Sequence, residues 1–473
     1  MKIGIDIDNV ISNFNDVLLH EYIIYDKQLR NTGIINKNAS YIRKGMFDWT
    51  NDEELNFYHN NIERIAKNLD LVVDSKKYID KLKNLGNKIY IITGRDNGEY
   101  SDPYNMTKNW LDNNNIAYDE LILTNAYKHH EKADICLEKN IDVMIDDSVH
   151  VCEECSNKNV DTLLFSTIYN KSENRFERAN SWKAVYDYIV SKQKFNIILD
   201  TDTNNECDDL FALSYLLKSK DKFNLEAVTI APYSHKNETN ISKGIDLSFN
   251  VCKDIFKLCD ENNSNMIFKG STDYFQNGYL KENDAINRMK QIINKNQTTY
   301  LLCIGAITNV AVLLKLYPEI KDKIKVIWLG GHELNYKDNM EYNFKQDIDA
   351  VKYVFDSEID LTIIPCKGVT DALKINIYEL QKHLDITTGL GKYLYDKFYN
   401  DGYHGITEER VIWDISVIAY MINRNWFETN KISCPTINHD TSYSKTENKH
   451  NIIIANHLDA VKIYADLFSK LGV

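Results

Sequence analysis

The sequence predicts an α/β protein of two domains, each a mainly parallel sheet with helices on both faces. Three observations predict it. Apolar, β-rich runs alternate with amphipathic segments of helical period along the chain, the signature of βαβ units. The pattern restarts near residue 194, where "SWKAVYDYIVSKQ" (181–193) closes one series as a helix and "KFNIILDTD" opens the next as a strand. The length, 473 residues, exceeds one ordinary core when domains run to ~100–200 residues. The predicted domains are therefore residues 1–193 and 194–473, packed together through a short linker near Lys192 to Lys194 that is not Gly/Ser-rich.

The first series contains the strand signals "KIGIDID", "KIYIITG", "IDVMIDD" and "TLLFST". The second contains "FNIILDTD", "LEAVTIAP", "TTYLLCIG", "KIKVIWLGG" and "DLTIIPC". Residues of about 15 to 75, including the aromatic and charged "FDWTNDEELNFYH", interrupt the first series and read as a small helical insertion. A hydrophobic content of 43% is ample for folded cores, and a net charge of −13 argues against nucleic acid or an anionic membrane surface as partner. No run of ~18 apolar residues predicts a membrane span. The opening "MKIGIDIDNV" reads as a strand, not a secretory signal, and nine scattered cysteines show no disulfide framework. "CEEC" (152–155) is a lone C-x-x-C, better read as reduced cysteines on a helix than as a zinc or redox site. The expectation is a cytoplasmic protein acting on small molecules.

The chain places its acids at strand ends, where ligands of parallel sheets bind. In the first half these are Asp6 and Asp8 of "DID", Thr93 of "IITGR", and Asp146 and Asp147 of "MIDDS", with Lys128 and Lys132 upstream of the last pair. Phosphoryl transfer needs a nucleophile, a neighbouring acid, donors for the phosphoryl oxygens and a divalent cation, and this set contains groups for each. An Asp pair after one strand is commonly a helix cap; such groups at successive strand ends are a stronger signal.

This order of motifs resembles the haloacid-dehalogenase phosphatase superfamily and, within it, the 5′-(deoxy)nucleotidase branch, over roughly residues 1 to 190. The resemblance implies Asp6 as the nucleophile that forms an aspartyl phosphate. It implies Asp8 as general acid and base that also lends its backbone carbonyl to Mg²⁺. Thr93 would bind phosphate, Lys132 rather than Lys128 would offset its charge, and Asp6, Asp146 and Asp147 would hold the metal. The helical insertion would be the substrate cap. Asn9 stands where glycine is usual, and Asn also accepts left-handed backbone angles.

In the second half, "ILDTDTNNECDDLFAL" (198–213) sets Asp200, Asp202, Glu206, Asp208 and Asp209 where a strand meets a helix. Oxygen ligands in that density suit a hard cation, although an acidic first helical turn can also exist without one. Thr308 and Asn309 follow "LLCIGAI", while Asn335, Glu341 and Asn343 lie in "LGGHELNYKDNMEYNFKQD", and Asp414 precedes the apolar "ISVIAYMI". Asn and Glu side chains can serve the three hydroxyls of a ribose.

The Asp-rich loop, "G-x-x-T-N", "L-G-G" and "E-Y-N-x-x-x-D" together resemble the inosine-uridine nucleoside hydrolase family over roughly residues 195 to 470. The resemblance implies Ca²⁺ held by Asp202, Asp209, Asp414 and the Thr308 carbonyl, with Asp202 also taking a proton from the attacking water. Asp208, Asn335, Glu341 and Asn343 would hold the ribose, and the family is often dimeric or tetrameric, which implies a homo-oligomer. Departures are the longer "TNNE" loop before Asp208, Trp413 where several purine-active members carry a His, and no Gly-Asn after "VTIAP". The base pocket is thereby left to Trp413, Tyr233, His332 or His404. Both halves together imply a salvage enzyme that dephosphorylates a nucleoside 5′-monophosphate and then frees its base. The alternative keeps one activity and uses the other half as a nucleoside- or nucleotide-binding module.

Overall fold

The computed structural model describes residues 1–473 except 40, 44, 97, 236–237, 262, 401–408, 447–448 and 473. It divides into two compact units, Met1–Gln193 and Lys194–Val473. Among the described residues of the first unit, six strands run in chain order: β1 (Lys2–Ile5), β2 (Lys88–Thr93), β3 (Glu120–Leu123), β4 (Val143–Asp146), β5 (Asp161–Phe165) and β6 (Arg178–Ala179). They form one sheet in the order β3-β2-β1-β4-β5-β6, parallel throughout. The order reverses between β1 and β4, so the connections leaving these strands diverge and open a crevice at their carboxyl ends.

The central strand explains its own sequence. Ile3 and Ile5 are fully buried, and Gly4 between them has no room for a side chain, because a Cβ would come within 2.7 Å of the Met144 sulfur. The predicted helical insertion holds the helices Phe14–Leu29 and Asn51–Lys67. The second starts on a capping box in which Thr50 and Glu53 exchange side-chain and backbone bonds. Tyr22 stacks on Trp49 at 4.5 Å between ring centroids, with Phe57 edge-on to Tyr22 at 4.7 Å, so the aromatic content of this segment goes into its own core. Helix Trp182–Lys192 closes the unit, and buried Trp182 donates from Nε1 to the Val10 carbonyl at 2.8 Å, fixing the loop that follows β1.

Among its described residues the second unit has twelve strands: β7 (Phe195–Thr201), β8 (Phe223–Ile230), β9 (Ile267–Lys269), β10 (Thr299–Cys303), β11 (Ile324–Leu329), β12 (Asp360–Ile364), β13 (Lys374–Asn376), β14 (Glu409–Val411), β15 (Phe427–Ser433), β16 (Thr436–Ile437), β17 (Tyr443–Ser444) and β18 (Asn451–Leu458). Eight of them make a sheet in the order β15-β18-β12-β11-β10-β7-β8-β9, all parallel except β15 against β18. Strands β13–β14 and β16–β17 are antiparallel pairs outside it. Here the order reverses between β7 and β10.

Every strand signal quoted above contains a strand, and the apolar "ISVIAYMI" is a helix. Strand β15, "FETNKIS", escaped the hydrophobic pattern because it is a largely exposed edge. All nine cysteines are free and buried, Cys152 and Cys155 on helix Val149–Asn157. Among the described residues, no helix is long and apolar enough to cross a membrane.

Candidate active sites

At the β1/β4 crevice, Asp6 follows β1, Asp146 ends β4 and Asp147 comes next. Each offers a carboxylate oxygen within 4.8 Å of the others. Lys132, on the buried face of helix His129–Lys139, lies 3.0 Å from Asp6 and 2.7 Å from Asp146. Lys128 sits at the exposed start of that helix and pairs with Glu131 at 3.2 Å, so of the two lysines only Lys132 reaches the cluster.

Burial, helped by Asp146 and Asp8, raises the Asp6 carboxyl to about 6, with Lys132 pulling the other way. Burial, helped by Asp146 and Asp6, also raises Asp147. Burial works against the Lys132 ammonium, but Asp146 and Asp6 outweigh it and raise its pKa. Buried carboxylates packed this closely call for more positive charge than one lysine supplies, which suits a divalent cation. Thr93, at the end of the adjacent β2, has a buried hydroxyl without a partner among the described residues.

Asn9 adopts φ +66°, the left-handed region expected of it. Its side chain does what glycine could not: Nδ2 donates to Asp147 at 2.9 Å and Oδ1 accepts the Asn15 N–H at 2.7 Å. Sequence reasoning missed Arg95, whose guanidinium donates to both oxygens of Asp8 at 2.5 and 3.0 Å. The signal was present in "IITGR", two residues beyond Thr93.

In the second unit the cleft opens at the β7/β10 reversal. Asp208 and Asp209 start helix Asp208–Leu217, and Asp414 precedes helix Ile415–Ile422; the three offer oxygens within 4.8 Å of one another. Asp202 and Glu206 line the same cleft, as do Glu341, Asn343, His332 and Trp413. The Glu206 carboxylate pairs with Arg410 at 3.2 Å.

Burial pushes Asp209 up to about 7 despite bonds from Thr201 and the Asp202 N–H. Burial and mutual repulsion raise Asp202, Asp208 and Asp414 as well. Asp200, also raised by burial to about 7, accepts from Thr229 at 2.6 Å and Asn309 at 2.8 Å behind the cleft. This excess of buried negative charge again fits a cation site.

Several motif residues also make bonds that brace the cleft. Asn309 donates to Asp200 and to the Ile230 carbonyl and accepts from Ser271 N–H, tying three segments together. Asp347, the last acid of "E-Y-N-x-x-x-D", accepts from the Thr308 hydroxyl at 2.6 Å and from backbone N–H groups of Phe275 and Gln276. Glu341 caps helix Tyr342–Gln346, and Asn343 bridges the Ile304 and Leu329 carbonyls at 3.1 Å each.

Asn335 does not join them. It faces solvent, while Asn339 is buried and bonds to His332 N–H and Thr441, because the intervening turn points Asn335 outward. Tyr233 is buried under Asn204, which donates to its hydroxyl at 2.9 Å, and is not among the cleft-lining residues. His332 lines the cleft, its ring 4.7 Å from that of Tyr336, and Nδ1 accepts the Lys367 N–H at 3.4 Å. Burial, with Lys367 nearby, holds the His332 imidazole below its usual range. His404 lies outside the described residues.

The raised acids have a stability consequence. Asp200 and Asp209 move from 3.8 to about 7 on folding, so between about pH 4 and 7 the folded chain holds more protons than the unfolded one. Stability of the metal-free protein is therefore expected to fall as pH rises through that window. Thermal melts in chelator should drop by several degrees between pH 6 and 8, at ~2–4 °C per kcal/mol. A divalent cation at about 100 times its Kd should add about 2.7 kcal/mol and erase most of the drop. Equal melts at both pH values, with and without cation, would contradict a cation site.

Comparison with known proteins agrees with this organisation. Residues 1–195 match the model of the 5′ nucleotidase, deoxy (pyrimidine), cytosolic type C proteins. A probable ribonucleoside hydrolase of Dictyostelium discoideum is 34% identical over 122 residues, 24% of this chain and 36% of that one. The inosine-uridine preferring nucleoside hydrolase of Crithidia fasciculata is 25% identical over 164 residues, 32% and 51% of the two chains. The matches thus span only about a third to a half of these relatives' lengths. Two solved structures share the fold: a plant nucleoside hydrolase, with 16% identity over 59% of this chain and 99% of that one, and an inosine-guanosine nucleoside hydrolase, with 14% over 59% and 100%, each at a TM-score of 0.50. Through residues 197–465, more than half its length, the chain belongs to the inosine-uridine preferring nucleoside hydrolase family, behind an N-terminal 5′-nucleotidase-type domain.

Proposed function

We propose that the protein is a bifunctional hydrolase that removes phosphate from a nucleoside 5′-monophosphate and then hydrolyses the N-glycosidic bond to free base and ribose. The observation that carries this reading is the presence of two separate buried carboxylate clusters, each at the switch point of its own parallel sheet.

In the first unit, Asp6 attacks phosphorus and forms an aspartyl phosphate while the bond to the ester oxygen breaks. Asp8 gives that oxygen its proton, then takes one from the water that hydrolyses the intermediate. Thr93 donates to a phosphoryl oxygen and Lys132 balances its charge. Asp6, Asp146, Asp147 and the Asp8 carbonyl would hold Mg²⁺, which supplies charge neutralisation when bound.

In the second unit, Asp202, Asp209, Asp414 and the Thr308 carbonyl would hold Ca²⁺, which supplies water activation when bound. Asp202 accepts the water proton. Asp208 orients the ribose hydroxyls, and Glu341 and Asn343, fixed by the backbone, face the sugar. The carboxylate floor stabilises the cationic, oxocarbenium-like ribose as the C–N bond breaks. The departing base meets Trp413 and His332; with Nδ1 accepting, the His332 proton is assigned to Nε2, free to be donated.

Mass spectrometry of purified protein with Mg²⁺ and Ca²⁺ on mixed ribo- and deoxyribonucleoside monophosphates, modified bases included, tests the reading. Nucleoside should appear first and free base second. Phosphate release without base from any member would instead support a second reading, a phosphatase carrying a nucleoside-binding unit. The solvent-facing Asn335, one sugar contact fewer, favours that reading.

A further inference from the structure

We propose that Arg95, with Ser12 as a second support, is the positioning residue that aims the Asp8 carboxylate at the leaving group; the inference rests on the phosphatase reading above. The ion pair is asymmetric. The Arg95 side chain is 1% exposed and that of Asp8 22%, so the cation lies beneath and the carboxylate faces outward. An ion pair placed on the surface for solubility would expose its cation. Burying a guanidinium costs several kcal/mol unless its partner is well placed. Here it is: Nη2 reaches Oδ1 at 2.5 Å and Nε reaches Oδ2 at 3.0 Å.

The fork holds both carboxylate oxygens and so fixes the plane of the group, which a lysine's single ammonium cannot do. Ser12, fully buried, places Oγ 3.3 Å from Oδ1 and shares its one proton between that oxygen and the Ile7 carbonyl at 3.2 Å. Arg95 Nη1 is buried without a partner among the described residues, so the side chain is placed to serve Asp8 and not to satisfy all its own donors. The backbone beneath is held too: a Cβ on Gly94 would come within 3.0 Å of Ala126 Cα, which keeps the end of β2 against that segment.

The function of such aim is specific. As the bond from phosphorus to the ester oxygen breaks and the bond to Asp6 forms, the Asp8 proton must travel to that oxygen. A nucleoside alkoxide cannot leave without it, whereas 4-nitrophenolate is a stable anion and can. Loss of aim should therefore cost much on one substrate and little on the other.

The test compares wild type, Arg95→Lys, Arg95→Met, Ser12→Ala and Asp8→Asn on a nucleoside 5′-monophosphate and on 4-nitrophenyl phosphate. General-acid contributions of about 10²–10⁴-fold set the scale. Arg95→Lys and Arg95→Met should each lose about 10²-fold in kcat on the monophosphate, with KM within about twofold, and less than about fivefold on the aryl ester. Asp8→Asn should show the same selectivity more strongly, and Ser12→Ala the same selectivity more weakly. Millimolar guanidinium should restore part of the Arg95→Met loss. Arg95→Lys and Ser12→Ala change least and answer the question if Arg95→Met does not fold.

Equal losses on both substrates, or a raised KM with kcat intact, would overturn the inference and leave Arg95 a folding or phosphate-binding residue. If Asp8→Asn itself showed no selectivity, or wild type released no phosphate, the phosphatase reading and this inference would fall together.

Discussion

Asp6→Asn is expected to abolish phosphate release from nucleoside monophosphates, by more than about 10⁴-fold, while base release from free nucleosides stays within about twofold. The size follows from the proposed role: a nucleophile has no substitute, and nucleophile deletions elsewhere cost up to about 10⁶-fold in kcat. Asn is nearly isosteric and keeps an acceptor for Lys132, which lies 3.0 Å from Asp6, so the folded unit should persist. The variant should melt within a few degrees of wild type. Phosphate release and base release, measured on one preparation, check both halves of the statement. A variant that kept more than about a tenth of its phosphatase activity would rule out the aspartyl-phosphate route.

Asp209→Ala is expected to do the reverse, cutting base release by about 10³-fold or more with phosphate release unchanged. Asp209 touches the site from several sides. It shares the carboxylate cluster with Asp208 and Asp414, accepts from Thr201, and takes the Asp202 N–H at 3.3 Å. On the proposed reading, its loss removes a cation ligand and frees the Asp202 loop at once. It also removes one buried negative charge, so the metal-free variant should be more stable than metal-free wild type above about pH 7, and less stabilised by added Ca²⁺. Calorimetric titration with Ca²⁺ would show weakened binding. Unchanged binding together with lost activity would move Asp209 from the metal to the substrate.

The fold was largely legible because it rests on short-range pattern. Central strands of parallel sheets are buried on both faces, so "KIGI" or "VMID" reads as a continuous apolar run. Strand β15 was illegible for the opposite reason: its residues face water, and only pairing with β18 makes them a strand. Asp6, Asp146 and Asp147 converge because they lie at the ends of adjacent parallel strands, and Asp208 and Asp209 follow β7, but Asp414 reaches them from β14, outside that sheet, and Asp200 stays behind the cleft. Spacing inside a loop carried less. Asn335 stands at the expected distance from Glu341, yet the turn points it outward and buries Asn339.

Arg95 was illegible as a partner of Asp8 because the two are 87 positions apart and meet only across adjacent strands β1 and β2. Asp347 likewise reads as a motif acid, but its partner Thr308 lies 39 positions away. Alone, then, the sequence determined the α/β class, the two families and the carboxylates that gather at each sheet edge, because these follow from periodicity and from which residues end a strand. Tertiary structure alone decided what holds Asp8, and which motif residues face the cleft and which brace it. Those outcomes depend on directions of side chains across packed elements, and no one-dimensional spacing encodes a direction.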